Sequence, residues 1–164
     1  MPKKGFTLFN PNYIVRIALI AAIYVTINII FAPISYGPVQ IRMAEILTVL
    51  PYIDPAAIGG LFFGCVLSNL WGGLGIVDVL GGSVCTLVAA VLTHRMRKPF
   101  LAPFPPIIVN ALGVSLYLHI LFLLPYWLTV LYIGIGQTIA CYLFGYPLLL
   151  VLIKRRIWLY RHNW

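Results

Sequence analysis

Long apolar runs, cut by short polar or turn-forming stretches, divide the chain into six segments. The first covers 13–32 and stops at Pro33, and Ser35-Tyr36-Gly37-Pro38 follows as a turn-rich loop. A short apolar piece covers 43–53 and halts at Asp54-Pro55, a good helix start because Asp caps and Pro suits the first helical position. The third segment, 56–71, runs into Gly72-Gly73-Leu74-Gly75, and the fourth, 76–93, meets the basic loop His94-Arg95-Met96-Arg97-Lys98-Pro99. The fifth covers 105–124 and the sixth 126–153. A full crossing needs about 20 residues of α-helix. The 43–53 piece is too short for that, so it must be tilted, partly unwound or sheltered by its neighbours. The pattern predicts an all-α integral membrane protein, one membrane domain over 1–164 with six transmembrane helices.

Composition strengthens this. Hydrophobic residues make up 62% of the chain and charged ones 9%, against about 45–50% and about 25% in a soluble domain. A water-surrounded chain of this size has no way to hide so much apolar surface. The formal charge of +8 raises the question of nucleic acid, but the basic residues flank apolar runs and form no stripe interleaved with stacking aromatics. Lys3, Lys4 and Arg16 lie at the start, Arg95, Arg97 and Lys98 in one loop, and Lys154, Arg155, Arg156 and Arg161 at the end. With six crossings, these ten of the eleven Lys and Arg residues share one side and Arg42 alone lies opposite. The positive-inside rule makes the shared side, with both termini, cytoplasmic. Dropping the short second segment would place the 94–99 loop opposite the N-terminus and mix the charges. The basic start followed by an apolar run also fits a cleaved signal peptide, but the run is too long and no small-residue cleavage site follows it, so an anchor helix is expected.

Cys65, Cys85 and Cys141 are far apart within apolar runs, with neither metal nor redox spacing, and read as buried small hydrophobes. Small residues recur at four-residue spacing: Ala18 and Ala22, Gly60 and Gly64, Gly136 and Ala140. Such pairs let helix backbones approach closely in lipid, either within the bundle or against a partner.

Only three acids are present. Asp54 is explained by capping. Glu45 and Asp78 fall at membrane depth toward the outer side, where an ionisable group is costly and its retention suggests use. Glu45 is placed either to pair within its helix with Arg42, three residues earlier, or to face a solute. Asp78 is placed either to complement the N-terminus of its own helix or to face the same solute. Gln40 and Arg42, Asn69 and Trp71, Tyr117 and His119, and Tyr132 and Gln137 fall at the same level. Aromatic faces that stack a planar ring, with amides and acids for its edges, make a small-molecule pocket. Asn110 falls deeper, where it serves to bond a neighbouring helix. No catalytic set, Walker loop, HExxH or Cys/His metal cluster appears, and no cofactor is implied. A small membrane enzyme and a ligand-free scaffold are the competing classes. The first lacks a nucleophile or metal constellation; the second has no reason to carry polar groups gathered at one level.

Gly37-Pro-Val-Gln-Ile-Arg-Met-Ala-Glu-Ile-Leu-Thr-Val-Leu-Pro51, Gly60-Leu-Phe-Phe-Gly-Cys-Val-Leu-Ser-Asn69 and Asp78-Val-Leu-Gly-Gly-Ser-Val-Cys-Thr-Leu-Val-Ala-Ala90 resemble the QueT family over about residues 12–153. Members are substrate-binding S components of energy-coupling factor (ECF) importers for queuosine precursors. The resemblance implies an S-component-like bundle, a 7-deazaguanine solute in its aminomethyl or cyano form, and partners: a transmembrane coupling subunit (EcfT-like) and two ATPases (EcfA-like). It also implies that Ala18 and Ala22 dock onto the coupling subunit. Glu45 and Asp78 would then divide the guanine-like edge and the aminomethyl cation between them, with Asn69 and Gln137 on other ring edges and Trp71 stacking. Another vitamin or nucleobase is the rival solute.

Overall fold

The structure, a computed structural model, describes residues 11–35, 42–73 and 75–162, with side chains for all of these except 34–35 and 156–162. Its elements are α1 (Pro11–Ile30), the single turn α2 (Ala32–Ser35), a 3-10 helix (Met43–Tyr52), α3 (Ala56–Gly72), α4 (Ile76–His94), a 3-10 turn (Pro99–Leu101), α5 (Phe104–Phe122), α6 (Tyr126–Thr138), a π-helical segment (Ile139–Gly145) and α7 (Tyr146–His162). No strand occurs among the described residues. Four stretches are long and apolar enough to cross a membrane: Pro11–Ile30, Ile76–His94, Pro99–Phe122 and Tyr126–Arg155. Two shorter apolar helices, Met43–Tyr52 and Ala56–Gly72, complete an all-helical membrane bundle.

Consecutive helices α1, α3, α4, α5 and α6 pack side by side, and the 3-10 helix lies against α1, α3, α4 and the π segment. Small residues set how close these helices come. A Cβ added to Gly60 would meet Ile20 Cβ at 2.7 Å, and one added to Gly64 would meet Tyr24 Cβ at 2.9 Å. The four-residue glycine pair of α3 therefore serves internal packing against α1. Gly136 and Ala140 are likewise buried. Ala18 and Ala22 lie on the exposed side of α1.

The short second segment solves its length problem by geometry. As a 3-10 helix its ten residues rise about 2.0 Å each, roughly 20 Å rather than the roughly 15 Å of an α-helix. Six of them, Ala44, Glu45, Leu47, Thr48, Val49 and Pro51, are buried, so protein rather than lipid surrounds this backbone. The π segment opposite it follows the same contour: a Cβ on Gly145 would stand 3.0 Å from the Ile46 carbonyl oxygen.

Polar bonds tie one end of the bundle together. Arg16 Nη1 donates to Asp54 Oδ2 at 3.0 Å, and Asp54 Oδ1 accepts the Ala56 amide at 3.0 Å, capping α3. His94 Nδ1 lies 2.7 Å from the Pro51 carbonyl oxygen, and Thr93 Oγ1 donates to that of Ala102. Ile153 packs onto Val49, Ala102 and Leu149. Arg16, Arg95, Arg97, Lys98, Lys154 and Arg155 thus gather at one end, and Arg42 lies toward the other.

Candidate functional site

Toward the end opposite the basic cluster, the bundle encloses a polar chamber. Its lining is Arg42, Glu45, Gly82, Thr86, Asn110, Val114, Ile133 and Gln137, from the 3-10 helix and its first flanking residue, α4, α5 and α6. The cavity is about 10 Å³, room for about one water and far short of the roughly 300 Å³ at which small-molecule pockets begin.

Glu45, 1% exposed, is held by neutral donors. Tyr24 Oη donates to Oε1 at 2.7 Å from the middle of α1, and Asn110 Nδ2 donates to Oε2 at 3.1 Å from α5. Thr48 Oγ1 donates to the Glu45 carbonyl oxygen at 2.6 Å, tightening the 3-10 turn. The intrahelical pairing of Glu45 with Arg42 does not form. Glu45 also sits deeper than its place in the sequence suggests, because Tyr24 and Asn110 are mid-helix residues.

Arg42 instead reaches α3 and α4. Its Nη1 donates to Asn69 Oδ1 at 3.0 Å, and its Nη2 stands 3.6 Å from Asp78 Oδ1. Asp78 is fully buried, and its Oδ1 accepts the Tyr117 hydroxyl at 2.6 Å. Asn69 Nδ2 closes the circuit on the Asp78 carbonyl oxygen at 3.0 Å. Two glycines make this possible. A Cβ on Gly81 would meet the Tyr117 ring at 2.9 Å, and one on Gly82 would meet Asn69 Nδ2 at 2.6 Å.

Among the described residues, several buried polar atoms have no hydrogen-bond partner: Arg42 Nη2, Asp78 Oδ2, Asn110 Oδ1, both amide atoms of Asn28, and the Ser83 and Ser115 hydroxyls. Each such atom costs on the order of 1–3 kcal/mol. Three of them belong to residues that line or brace the chamber.

Of the residues singled out in the sequence, Arg42, Glu45, Asn69, Asp78, Tyr117 and Gln137 converge here. Trp71 and Tyr132 do not: Trp71 is 67% exposed and Tyr132 44%. Asn69 and Trp71 are two residues apart on one helix and therefore face opposite ways. Gln40 lies outside the described residues. Tyr24, Gly82 and Thr86 join without having been anticipated, and Asn110 takes part as the direct partner of Glu45. Spacing offered one signal, since Tyr24 and Asn28 stand four apart on the face of α1 that buries Ala21.

The family model of the QueT transporter matches residues 14–154. The protein named queuosine precursor transporter QueT from Lactococcus lactis subsp. cremoris (strain MG1363) is 38% identical over 97 residues, covering 53% of this chain and 54% of that protein. The match thus spans about half the length of this curated relative. No solved structure matches the chain.

Proposed function

The chain belongs to the QueT transporter family, and from that premise we propose that it is the substrate-binding subunit of an ATP-driven importer for a queuosine precursor. The supporting observation is the chamber: a salt-bridged, amide-lined cavity inside an apolar bundle, with Arg42 Nη2, Asp78 Oδ2 and Asn110 Oδ1 lacking hydrogen-bond partners among the described residues. A scaffold gains nothing from such desolvated groups, whereas a planar base supplies matching donors and acceptors. A 7-deazaguanine offers adjacent N–H donors for a carboxylate and ring acceptors for Arg42 and the amides of Asn69 and Gln137.

The basic end faces the cytoplasm, as the positive-inside rule requires, and the chamber lies toward the outside. Arg42, bonded to Asn69 and paired with Asp78, braces the outer side, so those contacts must loosen before a ring-sized solute enters. The partners are a transmembrane coupling subunit and two ATPases. Ala18 and Ala22, exposed on α1, form the small-residue face that docks on the coupling subunit.

The test is uptake. Cells that neither make nor import the precursor would express the chain with a coupling module and be given labelled 7-aminomethyl-7-deazaguanine. Accumulation should require the chain and active ATPases, and excess riboflavin should not compete. Uptake that persists with inactive ATPases would sink the importer reading.

A further inference from the structure

The charges around the chamber do not cancel. Three charged side chains are buried there: Arg42, Glu45 and Asp78, at 8%, 1% and 0% exposure. Arg42 is committed to the Asp78 side, with Nη2 3.6 Å from Asp78 Oδ1 and Nη1 on Asn69. That pair is neutral as a unit. Glu45 takes uncharged donors on its carboxylate, Tyr24 and Asn110 among them with Gln137 beside them, and it lines the cavity with Arg42; one cation is thus shared between two carboxylates. The remaining wall, Gly82, Thr86, Asn110, Val114, Ile133 and Gln137, brings no charge. One negative charge is left over in a water-poor space, where an unpaired carboxylate is strongly disfavoured.

We infer that the chamber selects a solute carrying a single positive charge, and that Glu45 is the group that takes it. The inference rests on the deazaguanine reading above and settles the division of labour left open by the sequence. Glu45 meets the solute's ammonium group; Asp78, already tied to Arg42 and Tyr117, serves the ring edge through its unpartnered Oδ2. A solute of the same shape without the cation leaves the charge of Glu45 unbalanced and binds more weakly.

The experiment is calorimetric titration of the purified chain with 7-aminomethyl-7-deazaguanine, a cation, and 7-cyano-7-deazaguanine, which is neutral. The expected preference for the amine is about 10- to 150-fold, the worth of one charge-assisted bond. In Glu45→Gln the amine should lose that advantage, so that amine and nitrile bind within about threefold of each other. Asp78→Asn should weaken both solutes, and because it frees the charge of Arg42 it should also narrow the preference for the amine without abolishing it. Equal binding of amine and nitrile by the unaltered chain, which no folding defect can explain, would mean that Glu45 is neutral in the chamber and would overturn the inference while leaving the deazaguanine reading intact. Retention of the preference in Glu45→Gln would also overturn it. Binding of neither solute would withdraw the deazaguanine reading, and the inference with it.

Discussion

Gly82→Ala adds one methyl group where the structure leaves no space. The new Cβ would lie 2.6 Å from Asn69 Nδ2 and 3.6 Å from the Tyr117 hydroxyl. Comfortable contact is near 3.5 Å, so the Asn69 amide must retreat by about 1 Å. It is pinned by two 3.0 Å bonds, one from Arg42 Nη1 and one to the Asp78 carbonyl oxygen. A retreat of that size takes both beyond hydrogen-bonding range. The charge-assisted bond is worth about 1.5–3 kcal/mol and the neutral one about 1 kcal/mol. Better helix propensity returns about 1 kcal/mol. The net loss is roughly 1.5–3 kcal/mol, a fall in melting temperature of roughly 3–12 °C in detergent. Solute affinity should drop at least about tenfold, because Arg42, which lines the cavity, loses its Asn69 anchor. Gly134→Ala is the control, since its Cβ would meet only Ala111 Cβ at an ordinary 3.7 Å. Adding Gly82→Ala to Asn69→Ala should cost much less than adding it to the unaltered chain, because the clashing amide is gone. If Gly82→Ala melts and binds like Gly134→Ala, the packing argument is wrong.

Tyr117→Phe removes the 2.6 Å donor from Asp78 and should destabilise the chain by about 1.5–3 kcal/mol, seen as a lower melting temperature; Tyr132→Phe, on an exposed residue, should leave it unchanged. Trp71→Ala should leave solute affinity within about twofold, since a side chain this exposed makes no desolvated contact with the chamber, as titration would show. Ala22→Trp, on the exposed face of α1, should bind solute normally yet abolish uptake and co-purification with the coupling subunit; loss of solute binding as well would mean that this face packs within the bundle.

What the sequence reveals here follows from how locally each feature is encoded. Hydropathy and the distribution of Lys and Arg depend on a residue's own chemistry, so the helical segments and the gathering of Arg16, Arg95, Arg97, Lys98, Lys154 and Arg155 at one end were readable without coordinates. Glu45 and Asp78 stood out because acids are costly in lipid. Their partners are a matter of tertiary approach. Tyr24 reaches Glu45 because Gly64 lets α1 close on α3, and Asn69 reaches Arg42 because position 82 has no side chain. The depth of Glu45 is set by Tyr24 and Asn110, which reach it from mid-helix, and neither the 3-10 form of the 43–53 piece nor the π segment Ile139–Gly145 has a distinctive hydropathy pattern. Trp71 lies outside the chamber, as helical rotation from Asn69 already indicates.

A structure of the chain with 7-aminomethyl-7-deazaguanine bound tests the central claim most directly, because it locates the solute. The account predicts a ring among Arg42, Asn110 and Gln137, its ammonium group within hydrogen-bonding distance of Glu45 and its ring N–H edge on Asp78, in a chamber widened well beyond the present 10 Å³. Solute found instead in the apolar groove lined by Ile107, Val130, Leu131, Gly134 and Ile135, or stacked on the outward face of Trp71, would contradict it.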